Sequence, residues 1–99
     1  MSKKVFISQP MNELSPEYIA AVRLAAESEI RKQMGNDVQI LDSISDMGEG
    51  KPPAWYLGKS VQMMSEADLV YFSPGWDQYR GCSIEHRICL DYGIEIMRD

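Results

Sequence analysis

Four short apolar runs, at residues 5–8, 38–41, 69–72 and 94–97, alternate with three stretches of helical spacing, and this alternation constrains the chain more than any other feature. Parallel neighbours need a crossover, usually a helix, so the pattern predicts a parallel sheet with helices packed on both faces. Leu69-Val70-Tyr71-Phe72 has no polar interruption, as a central strand covered on both sides requires. Gln9-Pro10 stops the first run, because proline has no donor for a ladder.

The helical stretches carry their own punctuation. Ser15-Pro16-Glu17 supplies an N-cap, an N1 proline and a first-turn acid. From there Ile19, Val22, Ala26, Ile30 and Met34 recur on one face, Arg23, Glu27, Arg31 and Lys32 take the other, and Gly35-Asn36 ends the run. Trp55, Leu57, Val61 and Met64 predict a second helix closing near Ser65-Glu66, after a long loop at 42–54. A third helix is expected over 82–92, capped by Gly93, with a last strand at 94–97. Right-handed crossovers leave few topologies, and a sheet order of 2-1-3-4 puts the switch point between strands one and three.

Ninety-nine residues at 11.3 kDa predict one domain over 1–99, with a cleft that is shallow or finished by another subunit. Ten basic against fifteen acidic side chains give a net charge of −5, and the basic ones are scattered, which argues against a nucleic-acid polymer as partner. No apolar run approaches the roughly 20 residues of a membrane span and no signal-like segment opens the sequence, so the chain reads as cytoplasmic. Cys82 and Cys89, seven apart on one helix, lie about 10 Å apart along its axis and are expected as free thiols.

Ligands of doubly wound sheets bind beyond the carboxyl ends of the strands at the switch point. The loops there are Gln9-Pro10-Met11-Asn12 and the stretch 73–81, the two least generic parts of the sequence. Glu85 falls just after the second loop, in what reads as the first turn of the third helix, where free N–H groups and the helix dipole favour its ionised form. A carboxylate there can act as a nucleophile or face a developing cation, although first-turn acids are also common for purely electrostatic reasons. Trp76, beside Gly75, can stack on a flat ligand or cover a sheet edge or subunit contact, and both readings stay open. Asp77 can accept hydrogen bonds from a sugar hydroxyl, and Arg80-Gly81 before a helix makes an anion pocket, or Arg80 pairs with Asp77. The glycine spacing of a dinucleotide or triphosphate loop is absent. The single histidine, His86, points about 100° from Glu85 on a helix and has no partners spaced for a metal or a catalytic triad, so neither metal nor cofactor is expected.

Val5-Phe6-Ile7-Ser8-Gln9-Pro10-Met11, Trp55-Tyr56, the run from Glu66 through Ser73-Pro74-Gly75-Trp76, Arg80-Gly81-Cys82 and Glu85-His86 together resemble a short phage and bacterial domain family described as nucleoside 2-deoxyribosyltransferase-like. The resemblance implies a flavodoxin-like three-layer fold. It also implies cleavage or exchange of the N-glycosidic bond of a deoxynucleoside or its monophosphate. By that pattern Gly81 and Glu85 match a glycine and a nucleophilic glutamate four residues on. Ser60 stands where such enzymes usually carry an aspartate, Tyr79 where they often carry an aspartate or serine, and His86-Arg87 where an apolar residue and glycine follow the glutamate. The resemblance therefore gives Glu85 as nucleophile, Asp77 and Ser60 orienting the sugar, Trp76 stacking the base and Arg80 meeting a phosphate, with residues 8–11 lining the site. A non-catalytic nucleotide-binding module and a ligand-free oligomer subunit are the competing expectations. The small size predicts a homo-oligomer whose neighbour, or the loop at 42–54, completes the site.

Overall fold

A computed structural model describes residues 2–11, 14–41 and 50–97. Asn12 and residues 42–49 of the expected long loop lie outside them. The element order is β1 (Lys3–Ser8), α1 (Pro16–Met34), β2 (Val38–Ile40), α2 (Pro53–Met64), β3 (Leu69–Phe72), a short 3-10 turn (Trp76–Gln78) and α3 (Arg80–Tyr92). The strands form one parallel sheet in the order β2-β1-β3. The sequence predicted this α/β class and the central place of the first strand.

α1 begins as its sequence dictates. The Ser15 side chain accepts from the Tyr18 amide at 3.1 Å, and Gly35, at φ +83°, ends the helix where a side chain would be strained. α2 starts two residues earlier than its apolar spacing indicates, because Pro53 occupies the first helical position, where a missing N–H costs nothing. α3 also starts two residues early, at Arg80.

The fourth strand is not formed. Gly93 turns left-handed at φ +70°, and both its amide and that of Ile94 bond to the Cys89 carbonyl, so closing the helix uses the first residue of the expected strand. The segment then touches β3 at a single parallel bridge, Val70 to Ile96. The Val70 amide donates to Glu95 O and the Met97 amide to Val70 O. Among the described residues the sheet therefore has three strands, not the four of the expected 2-1-3-4 order.

Alternation along the strands sorts two cores. Val5 and Ile7 of β1 and Leu69 and Tyr71 of β3 pack with Ala26 and Ile30 of α1. Phe6 and Val70 face the other way, onto Met64 of α2 and Cys89 of α3. Parallel register, with Phe6 opposite Val70 and Ser8 opposite Phe72, keeps partners on the same side. One correction concerns α1: Arg23 is not on the open face, since its side chain is largely covered, pairs with Glu27 at 3.2 Å and donates to Leu41 O at 2.8 Å. Among the described residues no helix is long and apolar enough to cross a membrane.

Candidate functional site at the carboxyl ends of the central strands

β1 and β3 end side by side, and Ser73 N–H donates to Ser8 O at 3.0 Å just past their last register pair. Ser8 follows Phe6 on the α2/α3 side of the sheet, so its hydroxyl points at α3. There it donates to Glu85 Oε1 at 2.5 Å. Both residues are buried, Ser8 at 1% exposure and Glu85 at 7%. Burial pushes the Glu85 carboxyl above its ordinary range, while hydrogen bonds from Ser8 and Ser60 pull it back. Three elements thus converge on one carboxyl: β1 through Ser8, α2 through Ser60 and α3 through Glu85.

The position of Glu85 in its helix corrects the sequence reading. With α3 starting at Arg80, Glu85 is its sixth residue and the first turn holds no acid, so the dipole and free amides, which act within the first turn, do not hold it ionised. The serine hydroxyls favour the ionised form instead, but burial outweighs them and the net shift is upward. The Ser8 hydroxyl should therefore be the main brake on Glu85 protonation. Ser8→Ala is expected to move the Glu85 carboxyl further up, read from its side-chain carbon shift against pH; an unchanged or lowered value would remove Ser8 from that role.

Both thiols border this cluster. Cys82 and Cys89 are free and buried, as the spacing predicted. Burial raises the Cys82 thiol, with a Ser8 hydrogen bond opposing and the Glu85 charge adding to the rise. Cys89 is pushed up to about 11 by burial and then by Glu85. Neither has the thiolate character of a reactive cysteine.

Gln9 and Ser73 lie next to the carboxyl cluster. The Gln9 amide group donates to Ile19 O of α1 at 3.1 Å, which places this side chain on the α1 side of the sheet, opposite Ser8. Its Oε1 and the Ser73 hydroxyl are buried side-chain atoms without a hydrogen-bond partner among the described residues. Such orphans each cost on the order of 1–3 kcal/mol, and native folds keep few of them. Pro10 is buried and Met11 half-buried beyond Gln9.

The remaining predicted residues sit on the turn leading into α3. Gly75 takes a left-handed conformation at φ +82°, which begins the 3-10 turn and sets the course of Trp76. Trp76 stacks on His86 at 4.0 Å and 14°, with Phe72 against both rings. These three residues, with Pro74, Gly75, Ile96 and Met97, line an open groove of about 340 Å³ that includes neither Ser8, Ser60 nor Glu85. His86 does point away from Glu85, as helical geometry required. Asp77 and Arg80 are exposed, and the described residues form no ion pair between them. Gly81 is exposed on α3, and a Cβ there would meet no atom within 4 Å.

Sequence reasoning thus placed Ser8, Ser60 and Glu85 in one site, and the structure brings them together. It missed Ser73 and the Trp76–His86 stack. No local signal marks the first, because an unpaired hydroxyl shows only when all its neighbours are known. No curated protein matches the chain. A family model described as a domain of unknown function, DUF4406, matches residues 3–98, nearly the whole length, and the chain belongs to that family.

Proposed function

We propose that this chain cleaves or exchanges the N-glycosidic bond of a deoxynucleoside or its monophosphate, with Glu85 as the attacking carboxylate. The observation that carries the reading is the buried Glu85 carboxyl, held by Ser8 and Ser60 at the carboxyl ends of the two central strands. A carboxylate in surroundings of low polarity stabilises an oxocarbenium-like centre more strongly than one in water, and two fixed hydroxyls set its direction beforehand.

In this reading a Glu85 oxygen attacks the anomeric carbon, the carbon–nitrogen bond breaks, and the base leaves with the bonding pair. Asp77 and Ser60 orient the sugar, and the departing base takes up a proton from solvent. Water, or a second base, then attacks the anomeric carbon of the glycosyl ester and returns Glu85 as carboxylate. Gly81 lies one helical turn before Glu85, where the resemblance expects a glycine. Arg80 and the free amides opening α3 meet a phosphate, and Trp76 meets the base. The parallel order β2-β1-β3 with helices on both faces is compatible with a flavodoxin-like frame for this chemistry.

A second reading is favoured by the raised Glu85 carboxyl: a neutral Glu85 would bind a nucleotide-like ligand by hydrogen bonding without attacking it. One experiment separates the two. Incubation with deoxynucleosides and their 5′-monophosphates, followed by chromatography for free base, is expected to show release from at least one of them. Thermal stabilisation without product would favour the binding module, since ligand at one hundred times Kd adds about 2.7 kcal/mol. Neither product nor stabilisation across the panel would overturn both.

A further inference from the structure

The turn between β3 and α3 carries Trp76 on a backbone that does little to fix its side chain. Gly75 enters the turn left-handed at φ +82°, and no side chain caps the three residues that follow. Backbone bonds hold the main chain, from the Trp76 amide to Ser73 O and from the Tyr79 amide to Trp76 O, each at 3.1 Å. The indole itself is half-buried and makes no hydrogen bond among the described residues. A ring on such a turn keeps its place only through what it lies on.

What it lies on is α3. Ser83 and His86 are three residues apart on that helix and so share a face. The Ser83 hydroxyl donates to Asp77 O at a long 3.4 Å, and one turn on, the His86 imidazole lies flat against the indole at 4.0 Å and 14°. Phe72, at the end of β3, closes on both rings, 5.5 Å from Trp76 and 4.9 Å from His86. Neither imidazole nitrogen is hydrogen-bonded among the described residues, so His86 offers Trp76 the plane of its ring rather than a polar contact. The apolar residue that the resemblance expects after the glutamate could supply the bulk without the plane.

Glu85 and His86 are consecutive on one helix, about 100° apart. α3 thus turns a carboxyl inward to Ser8 and an imidazole outward to the turn. An indole stacked on His86 is held at a fixed place relative to Glu85, whereas one standing free on the turn is not.

We propose that His86 is a positioning residue: its imidazole plane backs Trp76 and pins the turn to α3, so that the ring that meets the base and the carboxyl that attacks the sugar keep one geometry. The use of this seat in turnover rests on the glycosidic reading above; the seat itself does not.

Two substitutions separate the plane from the bulk. His86→Phe keeps a flat ring, and His86→Leu fills similar space without one. Each is made in a Trp55→Phe parent, where Trp76 is the single tryptophan and its fluorescence reports the seat. The lifetime-corrected rate of quenching by acrylamide is expected to rise in His86→Leu and to match the parent in His86→Phe. With a deoxynucleoside that the parent cleaves, His86→Leu should raise KM roughly three- to tenfold at nearly unchanged kcat, and His86→Phe should restore it. In a Trp76→Ala background His86→Leu should leave KM where it is, because no indole remains to be seated. Equal quenching in His86→Leu and the parent, or in His86→Leu and His86→Phe, would overturn the proposal whether or not deoxynucleosides are cleaved. A fall in kcat at constant KM would overturn it too, since His86 would then act on the reaction and not through Trp76. Quenching that rises in His86→Leu and returns in His86→Phe, in a protein that releases no base, would keep the seat and remove the cleavage reading.

Discussion

Glu85→Gln is expected to abolish base release, by roughly 10³-fold or more, while leaving the chain folded. The amide keeps an oxygen to accept from Ser8 and nearly the same volume, so the cluster of β1, α2 and α3 stays packed. What it loses is the negative charge that attacks the anomeric carbon. Turnover within tenfold of wild type would remove Glu85 from the nucleophile's role.

The same substitution has a stability signature with a definite sign. A carboxyl raised in the folded state contributes stability that is complete below its unfolded pKa and is lost as pH rises through the folded value. Burial is the cause of the rise at Glu85, so ionising it at neutral pH works against the fold. Glu85→Gln should therefore gain stability relative to wild type as pH rises from about 4 to about 7, with little difference at the acid end. Thermal melts of both proteins across that range read the difference directly. A gap that narrows towards neutral pH would mean that the folded carboxyl is held below its ordinary value.

The second large effect lies in the core. Phe6 is 2% exposed and packs with Met64, Val70 and Cys89, the junction of the sheet with α2 and α3. Phe6→Ala removes that ring from a position bounded by strands on both sides, where little can collapse into the space. A loss of about 3–5 kcal/mol is expected. For a domain of this size, with total stability of about 5–15 kcal/mol, that lowers the melting temperature by roughly 15 °C or more. Leu90→Ala is the control: Leu90 is 61% exposed on α3, and its removal should shift stability by no more than about 0.5 kcal/mol. Similar losses in the two variants would show that the apolar face of β1 is not where the fold is held.

Much of this architecture could be read from residues that act locally. Ser15, Pro16 and Gly35 mark α1 because each satisfies or excuses backbone groups within one turn. The unbroken Leu69-Val70-Tyr71-Phe72 run marks a strand buried on both faces for an equally local reason. The errors arose where the outcome depends on distant neighbours. Gly81 is a poor interior helix residue, so the start of α3 reads as loop, and that two-residue displacement moved Glu85 out of the first turn and changed what holds its charge. The segment after Gly93 has strand-like composition, yet pairing stops at Val70 because the amide of Ile94 is already committed to α3.

The site divides in the same way. Glu85 was accessible from its place beside the switch point, and Ser8 and Ser60 from the motifs and spacing that the family resemblance supplied. The Trp76–His86 stack spans ten residues through a left-handed glycine and a 3-10 turn, a path no periodicity encodes. Gln9 was placed at the site by position alone; that its carbonyl oxygen is the free group follows only from the Ile19 contact.

The back-to-back arrangement at the end of β1 has a consequence for how this protein can diversify. Ser8 and Gln9 are consecutive in the chain and serve opposite faces of a strand paired on both sides. Deleting or inserting one residue within Lys3–Ser8 would exchange the two faces and bring the apolar positions of one core into the other. Lineages sharing this fold are thus free to retune the two faces of this strand end separately by replacement, one codon at a time. Changes of length are confined to the segments beyond the strand ends.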